Sequence, residues 1–103
     1  MTDANDPQVV DNQAASRFEV VTEDDVAELI YRKNGNRLVL VHTEVPVAQG
    51  GRGIGGHLVQ AAIDYAAETG MTVVPLCPYA RSWLERHPDQ AGRVTIDWPQ
   101  SRP

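Results

Sequence analysis

Three groups of residues in this chain have types and spacing that could do chemistry. The first is Gln49-Gly50-Gly51-Arg52-Gly53-Ile54-Gly55-Gly56-His57-Leu58, in which five of ten residues are glycine. It follows the apolar run 38–41 and precedes a helix-like run over 58–68. A strand, a glycine turn and a helix together present bare backbone N–H groups. The first N–H groups of a helix have no internal partner, and the helix dipole favours negative charge there. Glycine lets an oxyanion reach the main chain with no Cβ in the way. A phosphorylated ligand is the expected occupant. The second group is His42 and Glu44, two apart on a strand and therefore on one face, roughly 7 Å apart by strand rise. Either can accept a proton. The third is Cys77, which ends a strand and precedes Pro78, a residue suited to the first turn of a helix. A thiol at a helix N-terminus forms its thiolate more easily and reacts more readily, although a free cysteine is also a common small buried hydrophobe. His42, His57, Cys77 and His87 have no recognised metal-ligand spacing, so no metal site is expected.

The elements that must position these groups follow from periodicity. Residues 1–16 are polar, carry Asp3, Asp6 and Asp11, and show no repeat; they read as a disordered tail. Residues 17–22 alternate, with Phe18 and Val20 on one face, and 26–32 alternate with Ala27, Leu29 and Tyr31 on one side, so both read as strands. Asn34-Gly35 is a hairpin signal leading into the long strand 37–45, whose apolar run implies cover on both faces. Pro46 cannot donate to a ladder, so this strand should bulge or splay near Val45-Pro46-Val47. A helix is expected over about 53–69, with Ile54, Leu58, Ala61, Ala62 and Tyr65 on one stripe and Gly70 as its C-terminal cap. A short buried strand, 71–76, should then lie parallel to 37–45 through a right-handed crossover. A second helix, about 79–86, ends at His87-Pro88. Residues 94–96 are a last strand or an extended tail, and 98–103 are irregular. The fold class is α/β with a mixed sheet: antiparallel strands followed by one βαβ unit, in a single domain spanning 17–97.

Composition narrows the function. The chain has 103 residues, 42% of them hydrophobic, so it forms one small domain with a core. A net charge of −5 argues against a nucleic-acid partner. The single cysteine excludes an internal disulfide and fits a reducing cytoplasm. No apolar run approaches the roughly 20 residues that span a bilayer, and no signal peptide is visible.

Among phosphate-binding patterns, Gly51-Arg52-Gly53-Ile54-Gly55-Gly56 matches G-x-G-x-x-G. The acidic residue that the dinucleotide fold needs about 20 positions on is missing, since the chain there reads Val73-Val74-Pro75-Leu76. A nucleotide P-loop fails too, because Gly56-His57 stands where Lys and Ser/Thr must be. Gly50-Gly51-Arg52-Gly53-Ile54-Gly55 instead resembles the Q/R-x-x-G-x-G/A signature of the Gcn5-related N-acetyltransferase family. Gly50 replaces the leading Gln or Arg, with Gln49 one place ahead. His42-Thr43-Glu44-Val45-Pro46 and Val74-Pro75-Leu76-Cys77-Pro78-Tyr79 extend the resemblance to the minimal members of that superfamily.

The resemblance implies an acyl-CoA N-acyltransferase fold with a splayed strand pair. It also implies transfer of acetyl from acetyl-CoA to an unidentified amine, in a small molecule or a protein, by a cytoplasmic monomer. By that resemblance Gly51, Arg52, Gly53, Ile54, Gly55 and Gly56 hold the pyrophosphate. Backbone N–H groups near Val45 and Val47 hold the pantetheine arm and polarise the thioester. His42 or Glu44 takes the amine proton. Cys77 carries the acetyl group, protonates the departing thiolate or lines the tunnel. Tyr79 lies on the helix from which relatives supply a general acid and is assigned to the cofactor. Two other readings stay open: a non-catalytic coenzyme A or acyl-CoA-binding module, and a small interaction domain whose glycine turn is structural.

Overall fold

The computed structural model describes residues 8–22, 25–47 and 53–99. Its elements in chain order are β1 (Val10–Asn12), β2 (Arg17–Val21), β3 (Val26–Asn34), β4 (Arg37–Glu44), α1 (Ile54–Thr69), β5 (Thr72–Pro75), α2 (Pro78–Arg86) and α3 (Pro88–Ala91), with a 3-10 turn at Gln13–Ala15. The strands form one sheet in the order β1-β2-β3-β4-β5. The first four are antiparallel neighbours, and β5 runs parallel to β4. No helix among the described residues is long and apolar enough to cross a membrane.

Local chemistry sets these elements. The β3–β4 hairpin closes with Asn34 paired to Arg37, leaving Gly35-Asn36 as a two-residue loop. Only Gly35 has positive φ (62°), as a type II′ turn requires, so the hairpin sits one residue later than Asn-Gly pairing suggests. Gly53 and Gly70 bracket α1 in the left-handed conformation (φ 71° and 73°), and Gly70 N–H closes on the Ala66 carbonyl. Leu58, Val59, Ala62, Ile63 and Ala66 of α1 are buried against Phe18, Leu29, Leu38 and Leu40 of the sheet. Each leucine, isoleucine, valine or phenylalanine among them contributes roughly 1.5–3 kcal/mol on burial.

Three expectations need correction. Residues 1–16 are not a uniform tail: 10–12 form β1, with Val10, Asp11 and Asn12 opposite Glu19, Phe18 and Arg17. Asn12 accepts from Ala15 N–H, Ser16 turns left-handed (φ 55°), and Tyr31 donates its hydroxyl to Asp11 at 2.7 Å. Partners distant in sequence make this strand, and three mostly polar residues carry no alternation to read. Residues 1–7 lie outside the described residues. The stretch after His87 continues as α3, started by Pro88. Finally, β4 is covered on one face only: Leu38 and Leu40 are fully buried, while Val39 and Val41 are half-buried. The opposite sheet face, with Val21, Val26, Glu28, Ile30, His42 and Glu44, is half-buried or exposed apart from Glu19, which is buried and paired with Arg17, because both longer helices pack on the other side. At the far edge, residues 94–96 make a single bridge, Ile96 beside Val73, rather than a strand.

Candidate active site

The site begins where β4 and β5 part. Their pairing runs from Arg37 opposite Thr72 to Leu40 opposite Pro75 and stops, while β4 continues to Glu44. Pro75 has no N–H to extend the ladder. Leu76 N–H turns back to the Val74 carbonyl at 3.1 Å, and Cys77 N–H makes the last bond to β4, at the Leu40 carbonyl, 2.9 Å. The distortion of β4 lies earlier than Pro46. Ile30 faces His42 while Tyr31 faces Leu40, so Val41 is an extra residue in the strand.

That bulge decides which side chains meet. Without it His42 would share the helix-covered face of Leu38 and Leu40; with it, Thr43 points there instead, opposite Leu29. Thr43 Oγ1 lies 3.2 Å from Cys77 Sγ. His42 and Glu44 turn to the other face, where His42 Nε2 and Glu44 Oε1 are 3.0 Å apart and both exposed. The three residues expected to share the chemistry therefore divide, with Cys77 on one side of β4 and the His42–Glu44 pair on the other. Glu44 also stands directly across from Glu28, which stands across from Glu19, a row of like charges that is unfavourable alone. Arg17 bridges two of them, pairing with Glu19 and with Glu28 Oε1 at 2.8 Å.

Cys77 is 2% exposed and occupies the N-cap position of α2 with no side-chain cap bond; Pro78 follows at the first turn. From there α2 lays two aromatic rings on the start of α1. A Cβ at Gly55 would fall 2.6 Å from the Tyr79 hydroxyl, and one at Gly56 would fall 2.7 Å from Trp83 Nε1. The buried Trp83 ring demands glycine at Gly56, a reason separate from any phosphate, whereas at Gly55 the partly exposed end of Tyr79 would have to shift. At Gly53 a Cβ would meet nothing within 4 Å, and only the positive φ demands glycine. The first intrahelical bond is His57 N–H to the Gly53 carbonyl, 3.1 Å, so the N–H groups of Ile54, Gly55 and Gly56 precede it. The Ile54 side chain is buried in the core and can offer a ligand only its backbone. Val45 packs against the core, and Val47 is 96% exposed. Gly51 and Arg52 lie outside the described residues. Among the described residues, no three His, Cys, Asp or Glu side chains group as a metal site.

Thr43 and Trp83 are the residues that sequence reasoning missed. Thr43 depends on the bulge, which no residue type at Val41 announces. Trp83 reads as core from its helical spacing, and the glycine opposite it is the only hint of its neighbour.

Comparison with known proteins places this geometry. A family model described as GCN5-related N-acetyl-transferase matches residues 17–93. Protein NATD1 of Homo sapiens is 42% identical over 65 residues, covering 62% of this chain and 58% of that protein. Protein NATD1 of Mus musculus gives the same identity and covers 59% of its length, and that of Danio rerio is 38% identical. The chain thus spans about three fifths of the curated relatives it matches. Among solved structures, a GCN5-like protein of Staphylococcus aureus superimposes with a TM-score of 0.71 over 96% of this chain and 95% of that one, at 22% identity. That likeness establishes the fold.

Proposed function

This chain belongs to the GCN5-related N-acetyltransferase family, and from that premise we propose that it transfers an acetyl group from acetyl-coenzyme A to an amine. The observation that carries the reading is the parting of β4 from β5, with Thr43 and Cys77 in contact at its mouth and the start of α1 beside it. An opening between parallel strands next to uncapped helix N–H groups suits a long flexible arm that ends in a phosphate anhydride. Acetyl-coenzyme A supplies an acyl group already activated as a thioester.

In this reading the backbone of 51–56 holds the pyrophosphate, with Gly53 keeping the approach open. Backbone N–H groups at Val45 and Val47 flank the arm where β4 has lost β5. Tyr79, over Gly55, borders the same passage. Cys77 lines it, and Thr43 Oγ1 holds the thiol in one orientation and can exchange a proton with it. The acceptor amine arrives from the uncovered sheet face, where His42 takes its proton and Glu44 Oε1 steadies the resulting charge. That pair is exposed, so the proton passes on to water. A cytoplasmic monomer suffices for this scheme.

One observation favours a second reading, a coenzyme A-binding module without catalysis: no helix among the described residues covers the face that bears His42 and Glu44. Calorimetric titration with acetyl-coenzyme A, followed by thiol release in the presence of amines, separates the two. Binding with amine-dependent release, reduced in His42→Ala, supports the transferase. Binding without release with every amine supports the module. No binding by the wild-type chain overturns both.

A further inference from the structure

A cleft of about 280 Å³ lies between the first turn of α1 and the middle of α2, lined by Gly53, Gly56, His57, Gln60 and Trp83. Trp83 is 8% exposed, and its Nε1, set against Gly56 in the cleft wall, has no acceptor among the described residues. An indole N–H can only donate, and a buried donor without an acceptor is rare. This donor cannot swing away. The ring is stacked on His87 (centroids 4.1 Å apart, 18° between planes), and His87 Nδ1 is 2.7 Å from the Trp83 carbonyl.

The other wall is the start of α1. It presents Gly53, Gly56, His57 and Gln60 to the cleft, with no side-chain cap and no acidic residue in the first turn. His57 adds a ring N–H donor at the rim. Asp64, the carboxylate that Gln60 touches, is already paired with Arg93 at 2.7 Å. Gln60 spends its amide nitrogen on Asp64 and Gln90, which leaves its carbonyl oxygen as an acceptor. The Trp83 and His57 donors facing one acceptor, with no carboxylate in the lining, fit a phosphate monoester carried on a hydroxylated ring.

We propose that this cleft takes the ribose 3′-phosphate of coenzyme A, with Trp83 Nε1–H as a dedicated donor to it. The assignment rests on the acetyl-coenzyme A reading. Gly53 belongs both to the glycine loop and to the cleft, so a molecule whose pyrophosphate lies on the loop has its phosphorylated ribose within reach.

The test follows the indole N–H signals in proton–nitrogen correlation spectra. The chain has two tryptophans, and Trp98→Phe leaves the Trp83 signal alone. Coenzyme A and adenosine 3′,5′-bisphosphate should both move it downfield, and dephospho-coenzyme A should not. By calorimetry, dephospho-coenzyme A should bind about tenfold more weakly than coenzyme A, the worth of one charge-assisted hydrogen bond. Trp83→Phe keeps the ring and should erase that difference. His57→Gln, at an exposed position, should shrink it without touching the core.

Equal binding of the two coenzymes with an unmoved Trp83 signal overturns the subsite and leaves the acetyltransferase reading standing. Failure of both coenzymes to bind overturns that reading, and this assignment with it. A shift produced equally by inorganic phosphate alone would make the cleft a general phosphate site and overturn the assignment to the coenzyme.

Discussion

Tyr79 occupies the space a side chain on Gly55 would need, which tests the packing of α2 on α1 directly. Gly55→Ala places a methyl 2.6 Å from the Tyr79 hydroxyl and 2.7 Å from its ring. The ring end must move, and because Tyr79 is 41% exposed the net cost is at most about 1 kcal/mol. Urea denaturation should show that loss, and Gly55→Ala combined with Tyr79→Ala should recover most of it relative to Tyr79→Ala alone. A double-mutant cycle without coupling would refute the contact. At this scale the sequence was partly legible. Gly53, Cys77 and Tyr79 stand out because their places relative to strand ends and helix starts can be counted along the chain. Thr43 cannot be found that way, because its face is set by a bulge that arises between strands. The close approach of the Tyr79 and Trp83 rings to Gly55 and Gly56 was hidden for the same cause: those rings come from more than twenty residues away.

Among the elements, β1 is held by few bonds, and one of them is sensitive to alkali. Burial among Phe18 and its neighbours, aided by the hydrogen bond to Asp11, pushes the Tyr31 hydroxyl well above the usual tyrosine range. In the unfolded chain tyrosine ionises near 10. The native state keeps its proton at higher pH, so the stabilisation is complete below about pH 10 and is lost as pH climbs toward the folded value. Urea midpoints measured from neutral pH upward should fall above that point, and Tyr31→Phe should flatten the fall; identical profiles would exclude Tyr31 as the cause. Elements of more than one full period were readable: β2 to β5, α1 and α2 follow from alternation, helical stripes and glycine or proline punctuation. The three-residue β1 and four-residue α3 were not, because so short a run holds no period and depends on partners elsewhere.

Across the whole molecule the sheet is two-sided in quality. Its helix-bearing face is closed and its other face is open, although the Leu38-Val39-Leu40-Val41 run suggested cover on both. Hydrophobic residue type records that a position can be buried; it does not count how many layers the chain is long enough to build. The asymmetry is measurable. Leu40→Ala should cost roughly 2–5 kcal/mol, as for a fully buried leucine, whereas Val39→Thr should cost less than about 1 kcal/mol. Comparable losses at both positions would mean that the second face is covered. The order of the sheet followed from two rules, adjacent hairpins and the right-handed crossover, and these were enough to place β4 between β3 and β5.

The single bridge between Ile96 and Val73 has a consequence for how copies of this chain meet in solution. β5 is the last strand of the sheet, and its outer margin is a template on which another chain could pair. Thr95 and Asp97 occupy the backbone groups of Val73 at 2.9 Å each, and the Arg37–Asp97 ion pair fastens that cover to β4. At the opposite margin, β1 offers only three residues. Both margins are therefore blunt, which is how sheet proteins resist edge-to-edge aggregation.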